Sequence, residues 1–252
     1  MDDYDLKPKA IITTIRHGEK DKDGALTERG RQQAAERGDH VHYLHGDIIL
    51  LHSGVTRVKD TLESFAKHLN LKGDISGETL ERELKFQSYT SQYLQYVYDS
   101  KNKGELFGNW DNVEGREAEE ERMRKFLSQN SSSSEPDIYP SPKQMAVRLA
   151  RVIATQIDFA TITIPEVRTN FVNGSHEPVL MSFLYYFLQD YDPTDIEFLQ
   201  KIGGSVDFTE GFGIYIYDQQ DGSNKVIFKF RDIEKEIDQS RLKAFCLSES
   251  VR

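Results

Sequence analysis

This sequence has little of what marks secreted, membrane-spanning or nucleic-acid-binding proteins. Its one cysteine, Cys246, excludes an intramolecular disulfide and a cysteine-rich zinc site. No apolar run is long enough to span a bilayer, and residues 1–20 carry too many charges for a secretory signal. Lysine and arginine number 32 against 42 acidic residues, so the formal net charge of −10 disfavours nucleic acid as a partner. We therefore expect a cytoplasmic protein without a membrane or nucleic-acid partner.

Apolar and β-branched runs alternate with amphipathic segments along much of the chain. Residues 10–15 form a continuous apolar run, as expected for a strand buried on both faces. Further strands are predicted at 47–51, 161–164 and 167–172, and helices at about 28–45, where Thr27 precedes the helix, and at 56–69, 145–157 and 178–188. Two runs of β-formers, 214–217 and 226–230, flank Asp221-Gly222 and predict a closing hairpin at the sheet edge. The pattern is typical of a three-layer α/β/α sandwich with a mostly parallel central sheet.

The middle of the chain differs in composition from both flanks. From about residue 78 it becomes charged and tyrosine-rich, and Gly104, Gly108 and the serine tract at 131–134 interrupt its helical pattern. We interpret residues 1–252 as a single α/β domain with an inserted helical cap at about 85–142. The charge run at 117–125 within it predicts a solvated helix.

Two patterns that suggest a metal or cofactor do not have the spacing that such sites need. His40, His42 and His45 lie two and three residues apart on a predicted helix, and no carboxylate completes a metal site. Gly211-Phe212-Gly213 lacks the third glycine and the strand-to-helix context of a dinucleotide loop. We expect neither a metal nor a cofactor.

Arg16-His17-Gly18-Glu19 follows the first predicted strand and suggests phosphate chemistry. A neutral imidazole can attack phosphorus, and a guanidinium can bind a phosphate dianion with two parallel hydrogen bonds. The tetrapeptide therefore combines a nucleophile with a phosphate-binding cation.

Two other predicted strand ends contribute similar side chains. The second strand is followed by Ser53 and Arg57, and a later one by His176 and Glu177. Ligands of open α/β sheets bind at the carboxyl ends of the strands. Pro178 suits a first helical turn, where free backbone N–H groups attract an anion. We expect two arginines and two histidines to form a compact positive pocket in an acidic protein.

These motifs resemble those of the histidine phosphatase superfamily, branch 1, which has the phosphoglycerate-mutase-like fold. The resemblance rests on Arg16-His17-Gly18-Glu19, on Leu-Thr-x-x-Gly-x-x-Gln-Ala at residues 26–34, on Ser-x-x-x-Arg at 53–57 and on Ser175-His176. It implies that His17 attacks phosphorus and carries a transient phosphohistidine, while Arg16, Arg57 and His176 bind the phosphoryl oxygens. Glu19, Ser53 and Glu177 are the further candidates for substrate binding.

A leaving alkoxide also needs a proton from a carboxylic acid. The resemblance implies a Glu-x-x-Phe acid after the second helix, which Glu83-Leu84-Lys85-Phe86 matches. We favour Glu83. Glu81 is two residues earlier, and Glu177 follows His176, where another branch of the superfamily keeps its acid; both stay alternatives.

The sequence thus predicts a metal-independent phosphatase that hydrolyses phosphate monoesters of small molecules or phosphoproteins. One alternative is a mutase-type phosphoryl transferase of the phosphoglycerate mutase kind, which the continuation Lys20-Asp21-Lys22-Asp23 disfavours. The other is a phosphate-binding or scaffold protein without catalysis. The sequence does not specify the substrate or the oligomeric state.

Overall fold

The computed structural model describes residues 7–39, 46–69, 113–128, 141–162, 168–195 and 197–249. Its elements, in chain order, are β1 Ala10–Arg16, α1 Glu28–Asp39, β2 Asp47–His52, α2 Thr56–His68, α3 Val113–Leu127, α4 Pro142–Ile162, β3 Thr169–Ser175, α5 Glu177–Leu188, α6 Phe198–Lys201, β4 Gly211–Asp218, β5 Asn224–Phe230, β6 Ile233–Glu236 and α7 Gln239–Cys246. Residues 10–16 are all buried, as the continuous apolar run predicts.

The six strands form one mixed sheet in the order β2-β3-β1-β4-β5-β6. The first three strands pair in parallel, whereas β4 pairs antiparallel with β1, β5 with β4 and β6 with β5. Strands β1, β2, β3 and β5 therefore run in one direction. Because β1, β2 and β3 are adjacent and parallel, their carboxyl ends lie together at one edge of the sheet.

Helices cover both faces of this sheet. On one face, Leu62 and Phe65 of α2 pack with Ile15, Leu50 and Val172 in a small core. On the other, α3, α4, α5 and α7 contribute to a larger core that contains Ile12, Phe171, Phe212 and Phe228. Neighbouring strand residues such as Phe171 and Val172 belong to opposite cores, because successive side chains of a strand point to opposite faces. The three-layer α/β/α architecture is confirmed.

The turn after β1 packs directly against the start of α1. A Cβ on Gly18 would lie 2.4 Å from the carbonyl oxygen of Gly30, and a Cβ on Gly30 would lie 2.3 Å from that of Glu19. The Thr27 amide donates to Glu19 O, and the Thr27 hydroxyl accepts from the Gly30 amide. Residues 26–34 therefore hold the backbone of Arg16-His17-Gly18-Glu19 in place, and only glycine fits at the contact.

Two predictions differ from the observed structure. Residues 161 and 162 continue α4 rather than forming a strand, and the Thr161 hydroxyl donates to the Asp158 carbonyl. Their β-branched side chains suggested a strand. The preference of a single residue for strand is weak, however, and here the backbone hydrogen bonds of α4 continue through both residues. The hairpin at Asp221-Gly222 joins β4 to β5, which lie inside the sheet, so its placement at the edge was wrong. The edge strand is β6.

Two elements near the carboxyl terminus had no prediction. Strand β6 alternates apolar or lysine positions with exposed glutamates, and charged side chains on an edge strand discourage pairing with another chain. Helix α7 begins after Asp238, whose carboxylate accepts from the amides of Ser240 and Arg241. Most of the predicted cap lies outside the described residues, so the single domain with an insertion stays a prediction.

Candidate active site

The carboxyl ends of β1, β2 and β3 bring five of the predicted side chains together. Arg16 is paired in register with Ser175, and His52 with Gly174. The His17 amide donates to Ser175 O at 3.1 Å, which joins the residues that follow β1 and β3. Arg16, His17, Ser53 and His176 are buried, and Arg57 in the first turn of α2 is half-buried beside them.

Hydrogen bonds fix the tautomer of His17. Its Nδ1 lies 2.7 Å from the Gly18 carbonyl oxygen, which can only accept, so Nδ1 carries the proton. Nε2 is then the acceptor, and the Nε–H of Arg57 donates to it at 3.1 Å. The Gly18 amide donates in turn to the Thr61 hydroxyl at 3.0 Å, which holds the turn itself. His17 thus directs an unprotonated nitrogen towards a cation.

Burial and neighbouring cations keep both histidines of the site neutral. Loss of water lowers the pKa of His17 from 6.5 to about 3, and the positive charges of Arg57 and Arg16 act in the same direction. Burial is also the largest cause that lowers the pKa of His176 well below 6.5. A neutral imidazole keeps the lone pair that a nucleophile needs.

The low pKa of His17 predicts a loss of stability in mild acid. Between pH 6.5 and about 3 the unfolded chain binds a proton at this histidine that the folded chain does not, so the free energy of unfolding falls as the pH falls. His17 contributes up to about 1.4 kcal/mol per pH unit within this window. The free energy of unfolding can be measured with urea at pH 6.5 and at about pH 5.5. Between these two values it should fall by about 1 kcal/mol less in the His17→Ala variant than in wild type.

Equal acid dependence in His17→Ala and wild type would show that His17 is not held neutral in the folded state.

His176 lies beside His17 and contacts two other site residues. The ring centroids of the two histidines are 5.3 Å apart. Nη2 of Arg57 is 3.4 Å from Nδ1 of His176 and must be the donor, so Nε2 carries the proton and donates to Ser53 Oγ at 3.1 Å. Arg57 therefore joins the two rings.

Arg16 is held by contacts on several sides of its guanidinium. Its Nη1 donates to the carbonyl oxygen of Val206 at 2.6 Å, and the guanidinium carbon lies 4.3 Å from the centre of the Phe208 ring. Nη2 of Arg16 is 3.3 Å from Oε2 of Glu177. Arg16 is the last residue of β1, so the strand fixes its backbone, and the loop before β4 orients its guanidinium.

Arg122 of α3 is a charged neighbour of the site that sequence reasoning missed. Its Nη2 lies 3.7 Å from Oε2 of Glu177, the same oxygen that faces Arg16. The prediction of a solvated helix at 117–125 was wrong at Met123, which is buried in the larger core, as are Phe126 and Leu127 just after it. The buried residues at 123, 126 and 127 have helical spacing, a signal that the surrounding charges obscured.

The other predicted site residues lie differently. Glu19 is turned towards α1: the Thr27 hydroxyl donates to its Oε1 at 3.1 Å, and Nη1 of Arg29 is 3.5 Å from its Oε2. Glu83 and its alternative Glu81 lie outside the described residues, as do His40, His42 and His45. Their predictions stay untested.

The described residues contain neither a metal-binding cluster nor a membrane-spanning helix. No group of three or more histidine, cysteine, aspartate or glutamate side chains is arranged to hold a metal ion within these ranges. Within the same ranges, none of the helices is both long and apolar enough to cross a bilayer.

A family model matches the amino-terminal part of the chain. Residues 12–100 match the model described as the histidine phosphatase superfamily (branch 1). This range includes Arg16, His17, Ser53 and Arg57. A comparison with curated protein sequences gives no match.

Solved structures share the fold over most of the chain. A mycobacterial glucosyl-3-phosphoglycerate phosphatase is 14% identical with a TM-score of 0.52, and the match covers 87% of this chain and 97% of that one. A mutant phosphoserine phosphatase from Entamoeba histolytica, in complex with phosphoserine, is 14% identical with a TM-score of 0.50, covering 92% and 99%. A protein described as mycobacterial hydrolase 2 is also 14% identical, with a TM-score of 0.52 over 96% and 98%. At this identity the likeness establishes the fold.

Proposed function

We propose that this chain, whose residues 12–100 match the model of the histidine phosphatase superfamily (branch 1), is a metal-independent phosphatase of the cytoplasm. Its reaction is the hydrolysis of phosphate monoesters through a phosphohistidine on His17. The observation that carries the proposal is the pair of contacts on the His17 ring, Nδ1 to Gly18 O and Nε2 to Arg57.

The chemistry follows from the unprotonated Nε2 atom. In the first step its lone pair forms a bond to phosphorus while the bond between phosphorus and the ester oxygen breaks, and the leaving alkoxide takes a proton from a carboxylic acid. In the second step the carboxylate takes a proton from a water molecule, whose oxygen forms a bond to phosphorus while the bond between Nε2 and phosphorus breaks. Inorganic phosphate leaves, and both the neutral imidazole and the carboxylic acid are restored. Arg57 exchanges its contact with Nε2 for a phosphoryl oxygen as substrate enters.

The cations of the site are proposed to offset the charge of the transferred group. Arg16 and Arg57 each present a planar set of N–H donors, the arrangement that suits phosphoryl oxygens. His176 is proposed to donate through Nε2, with Ser53 as its present acceptor. Electrostatic stabilisation by such fixed donors is the main source of catalysis in phosphoryl transfer.

The substrate is proposed to be a phosphorylated small molecule. Two of the structural relatives are named as phosphatases of glucosyl-3-phosphoglycerate and of phosphoserine, and both of these substrates are small phosphate monoesters. The acidic net charge of the chain makes the local cluster of Arg16 and Arg57 the attractive region for such an anion.

Hydrolysis in the presence of a chelator tests this function. The purified protein should release phosphate from p-nitrophenyl phosphate, and the rate should be unchanged by EDTA because protein cations carry the charge stabilisation. A rate that falls to background with EDTA and returns with a divalent cation would contradict the proposal.

We propose Glu83 as the acid that protonates the leaving group. Its rival Glu177 is buried between two guanidiniums, at 3.3 Å from Arg16 and 3.7 Å from Arg122. Opposite charges on two sides favour an ionised carboxylate, which has no proton to give. Glu177 is better suited to orienting Arg16.

The leaving group separates these candidates. Glu83→Gln should lower kcat for phosphoserine by roughly 10²-fold or more, since an alkoxide must be protonated, and should change kcat for p-nitrophenyl phosphate only a few-fold. Glu81→Gln, the same change two residues away, is the control and should leave both rates near wild type. If Glu177→Gln or Glu81→Gln gives the selective loss instead, the acid is that residue.

A further inference from the structure

A second cavity lies away from His17, on the face of the sheet that α1 and α2 cover only in part. Its volume is about 600 Å³. Its floor is formed by Ile11 and Thr13 of β1 and by Gly211 and Gly213 of β4. Helices α1 and α2 pack together, and the small core beneath α2 is built on β1, β2 and β3, so the cavity opens over the neighbouring β4 and β5.

The two glycines of the floor, Gly211 and Gly213, have no side chains that would extend into the cavity. The Cβ of any other residue at position 213 would lie 2.9 Å from the Tyr215 ring, and one at position 211 would lie 1.8 Å from the Thr14 carbonyl oxygen. Tyr215 and Tyr217, on the same face of β4, supply ring surfaces and hydroxyl groups to the wall. The Gly211-Phe212-Gly213 sequence thus makes space above the sheet.

The walls of the cavity are strongly positive. Five cationic residues and one carboxylate line it: Lys7, Arg37, Arg168, Lys229, Arg231 and Glu210. Two of these cations have acidic partners already, because Arg231 pairs with Glu210 at 2.7 Å and Lys229 with Glu234 at 2.8 Å. The remaining three leave an excess of positive charge in a protein with a net charge of −10.

Neither Arg37 nor Arg168 forms a close ion pair within the part of the chain that the structure describes, although Glu210 attracts Arg37 electrostatically from a greater distance. The Nε atom of Arg37 is buried without a hydrogen-bond partner there, and burial lowers the pKa of this guanidinium. Desolvating a cation without a hydrogen-bonded counterion is costly, so such groups are usually paired. An anion bound in the cavity would offset this cost.

We propose that this cavity is a second binding site, separate from His17, for an organic polyanion of about nucleotide size. The volume lies within the range of small-molecule pockets. Arg37, Arg168 and Lys7 would bind the anionic groups, and Tyr215 and Tyr217 would contact the organic part. The proposal does not depend on phosphatase activity.

Calorimetric titration with the non-hydrolysable nucleotide adenosine 5′-(β,γ-methylene)triphosphate tests the site. Arg37→Met/Arg168→Met should weaken binding at least about ten-fold, because charge-assisted hydrogen bonds are lost. The control Lys59→Met/Lys243→Met removes the same charge from the partly exposed surface of α2 and α7 and should change the affinity less than about three-fold.

A third variant distinguishes the cavity from the catalytic pocket. Arg57→Met should leave the affinity for the nucleotide within about three-fold of wild type. Thermal unfolding checks that the double variant folds. If it does not fold, the single variant Lys7→Met, changed at an exposed position, replaces it and should weaken binding at least about five-fold, more than either control. The proposal is overturned if wild type does not bind, if the cavity variants bind as wild type, or if Arg57→Met alone abolishes binding.

Discussion

The His17→Ala variant is expected to hydrolyse p-nitrophenyl phosphate at least about 10⁴-fold more slowly than wild type. The substitution removes the only ring nitrogen that is both unprotonated and adjacent to the Arg57 Nε–H within the described site. His176 cannot replace it without changing its contacts, since its Nδ1 faces Arg57 and its Nε2 faces Ser53. Steady-state kinetics measure the loss.

His68→Ala is the matched control for this loss. It removes an imidazole from the end of α2 that is bonded to Asp39 rather than to the site. We expect its kcat to stay close to that of wild type. Activity within about ten-fold of wild type in His17→Ala would exclude His17 as the nucleophile.

Replacing Arg57 with methionine is expected to lower kcat/KM for the same substrate by roughly 10³-fold. Arg57 contacts both histidines, with Nε 3.1 Å from His17 Nε2 and Nη2 3.4 Å from His176 Nδ1. A donor at this position aligns the nucleophile and binds phosphoryl oxygens, so we expect KM to rise and kcat to fall together.

Lys59→Met provides the matched control on the same helix. Lys59 is exposed, pairs with Glu63 and lies two residues after Arg57, so the change removes one charge of the same sign. Its kcat/KM should remain within about two-fold of wild type. An equal loss in both variants would indicate that α2 contributes only general electrostatic attraction.

Much of the site could be predicted because its residues follow three predicted strands. Residues 10–15 and 47–51 have the apolar character of buried strands, and the ends of adjacent parallel strands meet at one edge. Once this topology is expected, Arg16, His17, Ser53, Arg57 and His176 are expected to be neighbours. The structure brings them together.

The contacts between distant segments could not be predicted in the same way. Arg16 donates to the carbonyl oxygen of Val206 and lies over the ring of Phe208. No sequence motif predicts either contact. Arg122 reaches Glu177 only because α3 packs on the larger core, which depends on tertiary structure. The close approach of Gly18 to Gly30 likewise depends on where α1 lies in the fold. The motif at residues 26–34 indicated that this segment matters, but not that it contacts Gly18.

Trapping the covalent intermediate tests the central claim most directly. The protein would be mixed with a phosphate monoester, quenched in alkali, which preserves phosphohistidine, and digested for mass spectrometry. We predict one phosphoryl group on His17 in wild type and in His68→Ala, and none in His17→Ala. A phosphoryl group on another residue, or phosphate release by His17→Ala at the wild-type rate, would contradict the account.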